Sequence, residues 1–166
     1  MAQRNDNTVM IEDAKILFRN FSGVEGQYNA EGDRNFSVLL DPQVAEAMAN
    51  DGWPVKYTKI REEGDIAEPF IQVSVKYQGR GGKAVRPPRI TMITSRGRTN
   101  LGEGEVELLD SAEIISADMI IRPFEWSVGD KSGIKAYLQT LFVKIQEDAL
   151  ELKYADLNEA KGDYDE

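Results

Sequence analysis

A run of basic residues without acidic neighbours is the most distinctive chemical feature of this sequence. No Asp or Glu lies between Glu68 and Glu103, although the chain of 166 residues has a formal net charge of -9. We call the cations of this segment the basic island: Lys76, Arg80, Lys83, Arg86, Arg89, Arg96 and Arg98. Positive potential concentrated in one segment acts on ligands within about one Debye length, ~8–10 Å, whatever the net charge of the whole protein. The basic island therefore predicts contact with a polyanion.

The last twenty residues have the opposite charge pattern. Residues 147–166 contain eight carboxylates and two lysines, so this segment resembles a phosphate backbone in charge. We predict one globular domain at residues 1–150, followed by an acidic tail at residues 151–166. Within the tail, residues 158–166 lack the apolar side chains needed to pack and are predicted to be disordered.

The absence of two residue types excludes many enzyme mechanisms. The sequence contains no Cys and no His, which removes disulfides, zinc fingers, thiolate nucleophiles and imidazole acid–base catalysis. Carboxylate-based Mg²⁺ chemistry remains, for example at Asp118 and Glu125, but no motif orders these residues. We therefore predict a protein without catalytic activity, metal or cofactor. No apolar run approaches ~18–20 residues and no secretory pattern is present, so we expect a cytoplasmic protein without a membrane span.

Alternation of apolar and polar residues predicts a mainly β protein. The predicted strands cover residues 9–18, 34–40, 55–60, 70–77 and 89–94. A long hairpin is predicted from residues 117–128 and 134–145, because residues 129–133 (GDKSG) favour a tight reversal. The apolar phase of the second arm shifts past Thr140, which indicates a β-bulge or a strand that crosses between two sides of a barrel.

Helix is predicted in two short segments. Asp41 is a suitable N-cap for a helix that starts at Pro42 and ends near residues 50–52, and a second helix is predicted within residues 105–112. Many short strands, little helix and a glycine-rich basic loop at residues 78–88 are typical of a small β-barrel. We predict an OB-type five-stranded β-barrel with a long C-terminal hairpin, with a β-sandwich as the alternative.

Aromatic residues next to cations complete the predicted site. Sequence-tolerant binding of single strands combines cations along the backbone with aromatic rings on which bases stack. Tyr57, Lys135 and Tyr137 join the basic island in the predicted site. Alternation places Tyr137 beside Lys135, on the strand face opposite Ala136 and Leu138, so we predict that its ring is exposed. Three phenylalanines are predicted to be core residues: Phe18, Phe36 and Phe142.

The sequence resembles the single-stranded DNA-binding proteins of tailed bacteriophages, which are OB-fold proteins. The resemblance lies in residues 16–23 (ILFRNFSG), 32–36 (GDRNF), 51–53 (DGW), 86–90 (RPPRI), 122–126 (RPFEW) and 133–138 (GIKAYL). It implies an OB barrel that coats single-stranded DNA during phage replication and recombination, and an acidic tail that recruits replication proteins.

Two other functions remain open from the residues. One is a Mg²⁺-dependent nuclease that uses Asp118 and Glu125. The other is a virion or scaffold β-protein whose basic loop binds a protein partner. The combination of a basic island with neighbouring aromatics favours single-stranded DNA binding over both.

Overall fold

The predicted alternation of apolar and polar residues is realised in nine β-strands. The computed structural model describes residues 8–27, 29–78 and 85–146. The strands are β1 (Val9–Ala14), β2 (Ile16–Asn20), β3 (Arg34–Leu39), β4 (Val55–Tyr57), β5 (Pro69–Val75), β6 (Arg89–Thr94), β7 (Gly97–Leu101), β8 (Ile114–Val128) and β9 (Lys131–Ile145). Helix α1 (Pro42–Asn50) follows β3, and a short 3₁₀ helix (Val106–Asp110) precedes β8. No helix in the described residues is long and apolar enough to cross a bilayer.

Helix α1 forms where the sequence predicted it. The Asp41 side chain accepts a hydrogen bond from the backbone N–H of Gln43, and Pro42 supplies a first residue without a free N–H. Ala45 and Met48, one turn apart, are buried. The chain leaves the helix through Gly52, whose φ of 97° is accessible to glycine at little cost.

The strands form one mixed sheet in the order β1-β8-β9-β5-β3-β2, with β4 beside β5 and β6 between β9 and β7. Strands β5 and β6 both run parallel to β9, which pairs with β5 at residues 136–137 and with β6 at residues 140–144. The sheet is not closed by hydrogen bonds, because β1 and β2 do not pair. These two strands are nevertheless consecutive in sequence, with Lys15 alone between them.

The five-stranded barrel is not confirmed: the sequence predicted seven strands in all, and the described residues form nine. The predicted first strand divides at Lys15, since residues 9–14 pair with β8 and residues 16–20 pair with β3. Strand β7 was missed because its residues, GRTNL, are mostly polar and exposed. The long C-terminal hairpin is confirmed, since β8 and β9 pair from Ile114 to Val128.

The core lies on one face of this curved sheet. Buried side chains of β3, β5, β8 and β9 meet there with helix α1, and the largest fully buried ones include Phe21, Phe36, Ile71, Ile121 and Leu141. The burial predicted for Phe36 is confirmed. The same prediction was wrong for Phe18, which is 67% exposed, and for Phe142, which pairs across strands with Asp118 on the opposite face.

The predicted phase shift in the second hairpin arm is a β-bulge. Ile121 pairs with Leu138, whereas its neighbour Ile120 pairs with Thr140, so Gln139 is one extra residue on β9. Before the bulge the core residues are Ala136 and Leu138. After it, Leu141 and Val143 take their place. The bulge keeps both halves of this long strand on the core.

Candidate nucleic-acid interface

The face of the sheet that points away from the core carries polar and aromatic side chains and several of the predicted cations. We call it the outer face and define it by the strand register, since cross-strand partners lie on the same side of a sheet. On β5 it consists of Phe70, Gln72 and Ser74, which alternate with the buried residues Ile71, Val73 and Val75, and Lys76 follows directly after the strand. The outer-face residues of the neighbouring strands are Asn35 and Ser37 on β3, Lys135 and Tyr137 on β9, and Arg122, Phe124 and Trp126 on β8.

A groove of about 460 Å³ runs across this outer face. Its floor contains Asn35, Gln72 and Ser74 from β3 and β5. One wall is the start of the β8–β9 hairpin, and the other is the connection between β2 and β3, which contributes Asn29 and Asp33. The groove therefore lies between the β2–β3 connection and the β8–β9 hairpin, and its floor consists of polar strand residues.

Three lysines line the groove, namely Lys56, Lys76 and Lys135. Lys56 and Lys135 are exposed. The Lys76 Nζ lies 3.6 Å from Oδ1 of Asp33, and both side chains are partly accessible to solvent. Such an exposed ion pair is weak, because water screens it. The structure thus places Lys76 and Lys135, which the sequence predicted for the site, in one groove, and adds Lys56.

Trp126 forms the aromatic wall of the groove. A Cβ atom added at its cross-strand partner Gly133 would lie 3.0 Å from the indole ring, so the ring covers the glycine backbone. Any other residue at position 133 would displace the indole. Glycine therefore fixes the position of Trp126 along the hairpin, where part of the ring remains accessible.

Beside the groove, three outer-face side chains form a stack. The rings of Phe124 and Tyr137 are 4.6 Å apart between centroids, with an interplanar angle of 3°. The Arg122 guanidinium carbon lies 5.2 Å from the Tyr137 centroid. Tyr137 is 8% exposed, whereas Phe124 is 41% exposed. Phe124 therefore presents the accessible aromatic surface of this stack.

The prediction that Tyr137 is exposed was wrong, although its strand face was predicted correctly. Alternation does turn Tyr137 away from Ala136 and Leu138, and it is absent from the core cluster. Its partner strand, however, brings Phe124 and Arg122 over the ring. Burial raises the pKa of the Tyr137 phenol, while the neighbouring Arg122 acts in the opposite direction.

Arg122 connects this stack to the basic island. Burial lowers the pKa of Arg122, and the positive charge of Arg86 lowers it further. Arg86 therefore lies close enough to the stack to interact electrostatically with Arg122. The Nε atom of Arg122 is buried without a hydrogen-bond partner within the described part of the chain. Arg122 itself was not predicted for the site.

Two further arginines of the basic island lie on the outer face. Arg89 pairs with Thr140 and is exposed. Arg98 pairs with Ile93, and its guanidinium carbon lies 5.6 Å from the centroid of the Phe142 ring. Phe142 lies on the outer face because of the strand register after the bulge at Gln139, and Arg98 is its neighbour there. Arg96 is exposed in the turn between β6 and β7.

The remaining predicted residues are not brought into the groove. Arg80 and Lys83 lie outside the described residues. Tyr57 is 59% exposed, but it follows Lys56 on β4, so alternation directs it to the other face of the strand. Of the predicted residues, Lys76 and Lys135 therefore line the groove, and Arg89 and Arg98 lie elsewhere on the outer face. Tyr57 lies apart from both pairs.

The carboxylates considered for a nuclease lie on opposite faces of β8. Asp118 pairs with Phe142 on the outer face and accepts a hydrogen bond from the backbone N–H of Asp13, at 2.7 Å. Glu125 pairs with Ile134 on the other face. Among the residues that the structure describes, no group of three or more acidic side chains is placed to hold a metal ion.

A comparison with protein families decides the affiliation of the chain. Residues 1–165 match the family model described as "Putative phage ssDNA-binding domain". The chain belongs to this family. The family resemblance predicted from the sequence is therefore confirmed. No match was found among curated protein sequences.

Solved structures with a similar fold include single-stranded DNA-binding protein from bacteriophage Enc34. Its C-terminal truncation superimposes with a TM-score of 0.53 at 9% identity, over 89% of this chain and 95% of that chain. The same protein in complex with ssDNA gives a TM-score of 0.52 at 10% identity, again over 89% and 95%. A third structure, of the single-stranded DNA-binding protein from bacteriophage Enc34, gives a TM-score of 0.51 at 10% identity and covers 89% of both chains. At these identities the likeness concerns the fold.

Proposed function

We propose that this phage ssDNA-binding domain binds single-stranded DNA along the groove on its outer face. The observation that carries the proposal is the set of three lysines and Trp126 around a groove floored by polar residues. Lysines supply the charge that tracks phosphates, and an indole supplies a surface on which any base can stack. Family membership and the fold of the Enc34 protein support the same function.

The outer-face arginines extend the proposed path beyond the groove. Phe124 stands between the groove lysine Lys135, its cross-strand partner, and Arg122. Arg86, Arg89 and Arg98 continue the positive charge toward β6 and β7. A strand that leaves the groove over Phe124 therefore meets cations on both sides. Arg80, Lys83 and Arg96 are proposed as additional phosphate contacts from the loop and the turn.

We also propose that the sheet is an elaborated OB fold. The edge strands β1 and β2 are consecutive segments of one bent chain, and they pair with the two ends of the series β8-β9-β5-β3. In OB folds the nucleic acid lies across the second and third strands, between two loops. The groove has this location, because its floor belongs to β3 and β5 and its walls are the β2–β3 connection and the β8–β9 hairpin.

The proposed biological role follows from the family. We propose that the domain at residues 1–150 protects single strands during phage replication and recombination in the cytoplasm of the host, without enzymatic activity. The acidic tail at residues 151–166 is proposed to recruit phage or host replication proteins. Its position lies outside the described residues, and its charge supports this role.

A titration with fluorescent oligo(dT), with and without Mg²⁺ and followed on a gel, tests the proposal. We expect a shifted band without cleavage under both conditions. Cleavage that requires Mg²⁺ would indicate a nuclease. Absence of any shift would favour a virion or scaffold protein that binds a protein partner.

A pair of charge-reversal variants then locates the interaction. Arg86→Glu with Arg89→Glu should weaken binding far more than Arg4→Glu with Lys153→Glu, although both pairs change the net charge equally. Equal losses would mean that only total charge matters, and would remove the basic island from the proposed path.

A further inference from the structure

The backbone of Phe18 has an unusual conformation for an exposed aromatic residue. Its φ is 50°, in the left-handed region that bulky side chains rarely adopt. Its ring is 67% exposed, so burial does not compensate for this conformation. Strained residues of this kind concentrate at functional sites, where the surrounding structure holds them in place.

The left-handed conformation changes the face on which Phe18 lies. Leu17 pairs with Ser37, which belongs to the outer face, so regular alternation would turn Phe18 toward the core. A register shift between Leu17 and Asn20 interrupts the alternation at this point. The Phe18 ring instead contacts the outer-face residue Phe70, edge to face, with centroids 5.8 Å apart and an interplanar angle of 69°. The strained residue thus adds an aromatic ring to the outer face.

The Phe18–Phe70 pair lies at the far end of the proposed DNA path from Phe124. Phe70 and Ser74 are on the same face of β5, four residues or about 13 Å apart at the usual rise of a strand. Ser74 pairs with Tyr137, on which Phe124 stacks, and Phe70 pairs with the groove lysine Lys56. Two aromatic pairs therefore flank the groove, each with a cation beside it.

We propose that Phe18, supported from the side by Phe70, is a residue on which a base of the bound DNA strand stacks. Another base of the same strand stacks on Phe124, at the other end of the groove. This inference rests on the proposed function. It assigns the strained backbone a role, since the left-handed φ of Phe18 keeps its ring on the proposed DNA-binding face. Lys56 is placed to hold a phosphate next to the stacked base.

Three substitutions at position 18 separate a binding role from a structural one. Phe18→Trp keeps a stacking surface and should bind long oligo(dT) within about twofold of the unchanged protein. Phe18→Ala and Phe18→Gly both remove the ring and should weaken binding by roughly 5- to 150-fold, the loss of one stacked base. Glycine accepts a left-handed backbone, whereas alanine does not, so the Gly variant should have the higher Tm of the two.

Affinity and Tm then give distinct outcomes. Equal affinity losses in the Ala and Gly variants, despite different Tm values, would support stacking. Affinities that follow Tm across the two variants, or an Ala variant that binds like the unchanged protein, would overturn the role of Phe18. If the unchanged protein binds no oligonucleotide, the proposed function fails, which is a different result from failure at position 18 alone.

Oligonucleotide length provides a second test. OB folds bind about 4–16 nucleotides, and a short oligo(dT) at the lower end of this range can occupy the groove and Phe124 without reaching Phe18. The loss caused by Phe18→Ala should therefore be below about twofold for the shortest oligonucleotides and reach its full size only for longer ones. An affinity loss that is the same at all oligonucleotide lengths would contradict a stacking position at the end of the proposed DNA path.

Discussion

The ring of Phe124 lies flat on the ring of Tyr137, with 4.6 Å between centroids and 3° between planes. The two residues are on adjacent strands and two residues out of register, since Phe124 pairs with Lys135 and Tyr137 pairs with Arg122. This diagonal contact gives them different functions. Tyr137 supports the stack from below, and Phe124 offers the surface on which a base can stack.

Phe124→Ala should therefore reduce affinity for single strands by about 1–3 kcal/mol, the value of one base stack. Its effect on stability should be smaller, because the side chain is 41% exposed. Fluorescence titration with oligo(dT) and thermal unfolding measure the two effects. Tyr137→Ala is the matched variant and should lower the free energy of unfolding by roughly 3–5 kcal/mol, the range for removing a large buried ring. Normal binding by Phe124→Ala would mean that no base stacks there.

The groove lysines should determine part of the salt dependence of binding. Each neutralised phosphate contributes a slope of about 0.7 in log K against log salt for single strands. Lys56→Gln with Lys135→Gln should therefore lower the slope by roughly 1.4, as measured in titrations at several salt concentrations. Lys15→Gln with Lys59→Gln changes the net charge equally at exposed positions that do not line the groove, and should leave the slope unchanged. A slope unaffected by the groove pair would show that its lysines do not contact phosphates.

Asp33 should act as a competitor of phosphate for Lys76. The two side chains form an ion pair at 3.6 Å at the edge of the groove, and such a pair contributes about 0.2–1 kcal/mol. Asp33→Asn should consequently tighten binding by about 1.4- to fivefold at low salt, with little effect near 1 M, where the Debye length is about 3 Å. Glu31→Gln is the control, because Glu31 is exposed on the same β2–β3 connection and does not line the groove. Equal gains in both variants would argue for a general charge effect.

The stability of the domain should fall at alkaline pH, in part because of Tyr137. Burial raises the pKa of this phenol above its usual value of 10.0, so the folded protein holds the proton more tightly than the unfolded chain does. The corresponding stability is fully present below about pH 10 and is lost as the pH rises through the raised pKa. Tyr137→Phe should flatten the decrease in Tm, and adding Tyr77→Phe should flatten it further, since burial also raises the pKa of Tyr77. Identical curves for Tyr137→Phe and the unchanged protein would contradict this account.

Deletion of residues 158–166 should tighten binding of single strands. This segment is rich in carboxylates, and its attachment to the domain gives it a high effective concentration near the cations of the outer face. The gain should be largest at low salt, and Tm should not change. Superimposable binding curves at low and high salt would exclude competition by the tail, and would leave recruitment of a partner protein as its role.

The sequence predicted those parts of the fold that depend on local patterns. Asp41 and Pro42 identified helix α1, residues 129–133 identified the hairpin turn, and the phase shift past Thr140 identified the bulge at Gln139. Each of these features follows from residues that are neighbours in the chain. The split of the first strand at Lys15 was not predicted, because it depends on two distant partners, β8 and β3.

The candidate site was predicted only in part, because local patterns do not show contacts between distant strands. Alternation gave the correct face for Lys76, Lys135 and Tyr137, but it does not show what covers a residue on that face. Phe124 and Arg122 cover Tyr137 through the register of β8, which is a long-range property. Phe18 was assigned to the core because alternation assumes a regular backbone, and its left-handed φ reverses the face of the side chain.

Strand β9 has a consequence for how the protein folds during synthesis. It pairs with β8, β5 and β6, so it is the shared partner of three strands that precede it in the chain. Until residue 145 has left the ribosome, β5 and β6 of the nascent chain therefore lack the strand that pairs with their edges. Non-local pairing of this kind slows folding, and exposed edges favour aggregation until they are paired. Among the strands that the structure describes, the last to be synthesised is therefore the one that pairs these edges.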